Sequence, residues 1–210
     1  MKKPVVFGAC IILLLGGIFV VRSFTSGDKQ TEADAATIAS SKSSTTIFPD
    51  IDDSQFSATQ KQVLTVLKKE FAKHPTGYDK NVLKYTEGFK ESWCADFISW
   101  VMNDAGAPFE RQDNDYWRIP GVVTLQDYYK DYGAYHDAGS YTPRMGDVAF
   151  YIGQTPDGSS EEHVAIVLAV QGDTVVTIGG NESDQHTVQV RYDKLKAGEK
   201  GLVGFGASEI

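Results

Sequence analysis

The sequence predicts an α+β domain, with N-terminal helices packed on an antiparallel sheet of about five or six strands. Three observations predict it. Segments with helical apolar spacing come first and strand-like runs come last; short turn sequences such as "QGD" and "NESD", not helices, separate most of those runs; and the chain of 210 residues leaves room for one ordinary domain after its N-terminal segment. No repeat of solenoid length is visible.

The chain opens with "MKK" and then "PVVFGACIILLLGGIFVV", an almost unbroken apolar stretch over 4–21. Residues 1–25 therefore read as a signal peptide or an N-terminal membrane anchor, the length of the run favouring the anchor. Lys2 and Lys3 place the N-terminus in the cytoplasm and send the rest outward. Small residues that suit cleavage follow in "SFTSG". Residues 26–52 are rich in Ser, Thr and Ala without a sustained period, which predicts a flexible linker, and the folded domain is expected over 53–210.

In that domain "SATQKQVLTVLKKEFAKH" places Ser57 three residues before Gln60, a capping-box pattern, with Val63, Leu64, Leu67 and Phe71 on one helical face. A helix over about 58–73 follows. The next, in "SWCADFISWVMNDAG", has Ser92 as its expected cap and Gly106 as its stop, with Cys94, Phe97, Ile98, Val101 and Ala105 on one face. Residues 107–146 are irregular and rich in tyrosine, with one helix expected in "TLQDYYKDYG"; their aromatics suit either a satellite core or a groove lining. Strands are expected in "DVAFYIG", "HVAIVLAV", "TVVTIGG", "TVQVRYD" and "GLVGFG".

The formal charge is −8, and it grows more negative once the leading segment, which holds Lys2, Lys3, Arg22 and no acid, is set aside. Such a surface excludes nucleic acid as a partner, because neutralising phosphates requires basic residues.

Cys10 lies inside the apolar run, so Cys94 is the one thiol of the exported part, a compartment where cysteines ordinarily pair. A buried inert residue is one reading. The other rests on its place in the first turn of a helix, where free N–H groups and the helix dipole favour a thiolate. A nucleophile needs a base. Of His74, His136, His163 and His186, only His163 begins a strongly apolar strand, which would hold its imidazole rigidly. The adjacent strand ends in "IGGNESD" and offers Asn181 as the residue that orients the ring. Cysteine, histidine and asparagine in that order are the arrangement of papain-type hydrolases.

Four stretches, "WCADFISWVMNDAG", "PRMGDVAFYI", "HVAIVLAV" and "TIGGNESD", resemble in order the motifs of the CHAP domain, the cysteine- and histidine-dependent amidohydrolases/peptidases, an NlpC/P60-like family of the papain-like superfamily. The resemblance implies a papain-like fold and a bacterial cell-wall hydrolase. It implies Cys94 as nucleophile, His163 as general base and acid, and Asn181 as the orienting residue. Some members carry a glutamate two residues before that asparagine, where this chain has Gly179. Between Asn181 and its neighbour Glu182, strand alternation allows only one to face His163, and the resemblance selects Asn181.

Some members hold calcium before the cysteine. Glu87, Glu91 and Asp96 lie near, but no DxD-like ligand cluster precedes the cysteine, so no metal and no organic cofactor is expected. The expected function is cleavage of a peptidoglycan amide, as an N-acetylmuramoyl-L-alanine amidase or a stem or cross-bridge endopeptidase. The expected partners are peptidoglycan and, through the N-terminal segment, the membrane. A monomer facing the cell wall is expected, or a secreted one if the segment is cleaved. The alternative is a membrane-anchored, non-catalytic wall-binding or scaffold protein that keeps the fold.

Overall fold

A computed structural model describes residues 44–45, 47–110, 116–153 and 162–210. They fall in one compact unit, residues 41–210. The expected targeting segment and most of the expected linker lie outside the described residues. Among the described residues, no helix is long and apolar enough to cross a membrane.

Helix α1, Ala58–Ala72, starts as its sequence dictates: Ser57 accepts from the Gln60 amide while the Gln60 side chain accepts from the Ser57 amide, both at 3.0 Å. Its inner face buries Val63, Leu64, Leu67 and Phe71. A single turn, α2, Lys80–Leu83, capped by Asp79, interrupts the loop that follows. Helix α3, Cys94–Asp104, is buried over its whole first half, and helix α4 is Val122–Asp131.

All five expected strands form: β3 Val148–Tyr151, β4 His163–Gln171, β5 Thr174–Glu182, β6 Thr187–Lys194 and β7 Leu202–Gly206. Two short strands extend the sheet at its edges, β1 Ser44–Thr45 on β6 and β2 Tyr135–Asp137 on β7. The order is β1-β6-β5-β4-β3-β7-β2, every neighbour antiparallel. Helices precede the central strands and pack on one face of the sheet, the layout expected of short-turn connections.

Alternation sorts the strand residues into two layers. Val148, Phe150, Val164, Ile166, Leu168, Val176, Ile178, Val188 and Val190 join the helices in the main core. Ala149, Tyr151, Ala165, Val167, Val175 and Phe205 form a second cluster on the opposite face.

Three local expectations change. The folded unit begins before residue 53, because Phe48 packs edge-on against Phe71 at 5.5 Å and Ile51 is buried. The N-cap of α3 is Trp93, not Ser92, and it makes no side-chain capping bond. His136 lies in β2, not in a loop, and stacks on Tyr141 at 4.3 Å.

Candidate active site

The start of α3 is fixed by packing instead of by a cap. Trp93 is fully buried, stacks on Tyr85 at 5.6 Å and meets Phe97 edge-on at 6.3 Å. Tyr85 is itself anchored, donating to the buried Glu70 of α1 at 2.7 Å, while Lys73 and Lys84 bond the same carboxylate at 2.7 and 2.6 Å. Gly180 lets β5 come close to this packing: a Cβ there would lie 2.5 Å from the Trp93 ring and 2.7 Å from Phe97 Cβ. Cys94 is thus the first residue of a rigidly seated helix, where the opening N–H groups have no side-chain acceptor at the cap.

His163 is the first residue of β4, paired across the sheet with Tyr151. Its Nε2 lies 2.8 Å from Oε1 of Glu182. Cys94 lies close enough to the ring to help raise its pKa. With Nε2 committed to Glu182, Nδ1 is the ring nitrogen left for a second partner. The structure therefore brings Cys94 and His163 together.

Asn181 is placed elsewhere. Its Oδ1 lies 2.8 Å from Nδ1 of His186, in an exposed contact, and the residue next to it, Glu182, takes the position on His163. The cause is a β-bulge. Gly179 pairs with Gln189 and Glu182 with Thr187, so β5 spends three steps where β6 spends two. Asn181 is the extra residue and adopts φ 59°, a left-handed conformation that asparagine tolerates better than most residues. The inserted residue restores Glu182 to the face of Gly179 and His163, against simple alternation.

Gly179 completes the exchange. A Cβ there would lie 2.4 Å from Glu182 Oε1 and 3.1 Å from His163 Nε2. The Glu182 carboxylate fills the space above the glycine, supplying from three residues further on the acid that Gly179 lacks.

The second oxygen of Glu182 accepts from Arg191 Nη1 at 2.9 Å. Burial opposes the charge on Glu182, but His163 and Arg191, through their charges and hydrogen bonds, more than offset it and hold its pKa below the ordinary carboxylate value. Burial likewise opposes charging His163, and the Glu182 charge together with the Cys94 and Glu182 hydrogen bonds outweighs it, raising the ring to about 10. At neutral pH the pair is imidazolium and carboxylate.

On the helix side, Asp96 sits in the first turn of α3, fully buried, and accepts from Arg118 Nε at 2.6 Å. Arg118 also pairs with Glu91. Two of the three acids near the cysteine thus face a guanidinium. The aromatic segment contributes core, with Tyr129 buried against Phe150, and a cavity of about 470 Å³ beside Phe109, Tyr128 and Tyr132. That cavity opens by Met102 and Gly106, at the end of α3 away from Cys94.

Sequence reasoning weighed Glu182 against Asn181 and set it aside, and it did not single out Arg191. The available signal was "GGN", two glycines and a residue that tolerates left-handed backbone, which is how a bulge is written.

A thiol at a helix start, packed on an antiparallel sheet that presents an imidazole at a strand start, is a papain-like arrangement. Residues 84–181 match the family model of the CHAP domain. The match includes Cys94 and His163 and ends at Asn181, one residue before Glu182. Compared with curated proteins and with solved structures, the chain gives no match. The CHAP family is one of peptidoglycan amidases and peptidases.

Proposed function

We propose that this protein hydrolyses an amide of peptidoglycan through a thiolate on Cys94, with His163 as acid and base and Glu182 as the group that orients and charges the imidazole. The observation that carries the reading is His163 bonded to Glu182 at 2.8 Å, with Cys94 near enough to the same ring to raise its pKa.

His163 holds its proton at neutral pH, and the form of Cys94 that attacks beside it is the thiolate. The sulfur attacks the amide carbonyl, and the carbonyl π electrons move onto oxygen. N–H groups at the start of α3, that of Cys94 among them, face the developing oxyanion. Collapse breaks the C–N bond, and His163 gives its proton to the departing amine. The neutral imidazole then takes a proton from water, whose oxygen attacks the thioester; the thiolate leaves and the imidazolium is restored. Glu182 stays ionised throughout and keeps its hydrogen bond to the imidazole. The bond cut is an N-acetylmuramoyl-L-alanine amide or a peptide bond of the stem or cross-bridge.

The N-terminal apolar segment supports a place on the outer side of the membrane, facing the wall, or secretion if that segment is removed.

Cys94→Ala is expected to abolish clearing of purified wall while leaving the fold unchanged by circular dichroism. A folded variant that still clears wall near the wild-type rate contradicts the thiol mechanism. Mass spectrometry of fragments released by the wild-type protein identifies the bond: a free muramic-acid lactyl group with a new alanine amine means amidase, a cut stem on intact muropeptide means endopeptidase.

A further inference from the structure

Behind the imidazole, on the sheet face away from the helices, lies a row of charged side chains. Glu182 Oε2 accepts from Arg191 at 2.9 Å; Arg191 Nε lies 3.4 Å from Asp193 Oδ2; and Lys200 donates to Asp193 Oδ1 at 2.7 Å. Glu182, Arg191 and Asp193 are all buried, at 3%, 5% and 3% exposure. Placing charges so deep is costly unless each has an opposite partner, and here the signs alternate along the row. Two carboxylates and two cations sum to zero. The catalytic Cys94 and His163 are then left to balance each other.

We propose that Arg191 is a positioning residue that cancels the charge of Glu182, so that Glu182 and Arg191 together act on His163 as a net-neutral acceptor, as a carboxamide would. This inference rests on the thiol-hydrolase reading and deepens it. The register makes the contact obligatory: the bulge that turns Glu182 toward His163 also brings its far oxygen to Arg191, which shares its face of β6 with Gln189 and Asp193. The other groups around Glu182 do not replace Arg191. Tyr151 of β3 is fully buried and, by burial first and the Asp193 charge second, is held neutral well above its ordinary pKa; Thr177 of β5 carries no charge; Cys94 of α3 is not among the hydrogen-bond partners of Glu182; and Lys200 is bonded to Asp193.

A charge-cancelling pair has a signature that a merely structural arginine lacks. Loss of Arg191 leaves an extra negative charge beside the imidazole, which holds protons more tightly on nearby groups. Loss of the Glu182 charge alone leaves an extra positive one, which does the reverse. Losing both restores neutrality, and the two effects cancel.

The test uses the full chain, with iodoacetamide as probe and the alkylated Cys94 peptide quantified by mass spectrometry across pH. The alkaline rise of Cys94 labelling is expected to move to higher pH in Arg191→Met and to lower pH in Glu182→Gln. In the double variant it returns toward wild type, and wall cleavage exceeds that of either single variant by about tenfold. Shifts in the same direction, no shifts, or a double variant no nearer wild type than the singles overturn the proposal. Should Arg191→Met fail to fold, Glu182→Gln against the double variant decides: a return toward the wild-type profile supports cancellation, and an unmoved profile overturns it. Failure of the underlying reading looks different, since wild-type Cys94 then labels no faster at neutral pH than a free thiol.

Discussion

Two arginines in this domain each stand between two carboxylates, and the carboxylates they serve end in opposite states. Arg118 bonds Asp96 at 2.6 Å and pairs with Glu91; Arg191 bonds Glu182 at 2.9 Å and lies 3.4 Å from Asp193. Both Asp96 and Glu182 are buried. Yet Glu182 is held below the ordinary range, whereas burial pushes Asp96 up to about 6 against the pull of Arg118. The difference is in how many oxygens are satisfied. Each oxygen of Glu182 has a partner, His163 for one and Arg191 for the other, while Asp96 Oδ2 is buried with no hydrogen-bond partner. An arginine on one oxygen does not repay the desolvation of a whole carboxylate; donors on both do. The doubly bonded acid faces the imidazole, and the half-bonded one braces the helix that carries the thiol.

The comparison breaks most visibly at Glu182. Glu182→Gln removes the charge that sustains the imidazolium, and kcat/KM on wall material is expected to fall about 10- to 1000-fold. Asn181→Ala removes an exposed contact to His186 and is expected to stay within about threefold. Equal losses in both variants would mean that the bulge does not separate their roles.

Gly179→Ala tests the space the carboxylate occupies. A methyl group 2.4 Å from Glu182 Oε1 has to displace the acid or bend β5, and a loss of about 10- to 100-fold is expected with a modest drop in thermal stability. Full activity in the folded variant would show that the carboxylate works from another position.

The sequence made the main elements legible because each was written locally. The capping box at Ser57 and Gln60, the apolar face of α3 and the alternating valines of β6 need no knowledge of distant partners. The places of Cys94 and His163 were legible for the same reason, one opening a helix and the other a strand. The residue that bonds His163 was not. Choosing between Asn181 and Glu182 depends on a register shift, which arises between two strands and is invisible in either alone. Arg191 and Asp193 alternate with Val188 and Val190, a pattern that reads as a solvated strand face, and only the tertiary structure shows that this face is buried. The short edge strand β2 carries too few residues to show a period.

The smallest expected effect sharpens the other half of the comparison. Since the folded pKa of Asp96 is raised from 3.8 to about 6, its contribution to stability is fully present below about pH 4 and is lost as pH rises through 6. Asp96→Asn has no such titration. The stability of wild type relative to this variant is therefore expected to decrease between pH 4 and pH 7, by up to about 3 kcal/mol, in thermal or urea denaturation. A difference that stays level across this window would show that Arg118 compensates the aspartate fully.

The most direct test of the central claim, that Glu182 and not Asn181 governs the imidazole, is an NMR titration of His163 in wild type, Asn181→Ala and Glu182→Gln. The ring is expected to titrate near 10 in wild type and Asn181→Ala, and well below that in Glu182→Gln, where burial is opposed by one partner fewer. A His163 that moves in Asn181→Ala and keeps its wild-type titration in Glu182→Gln would contradict the account.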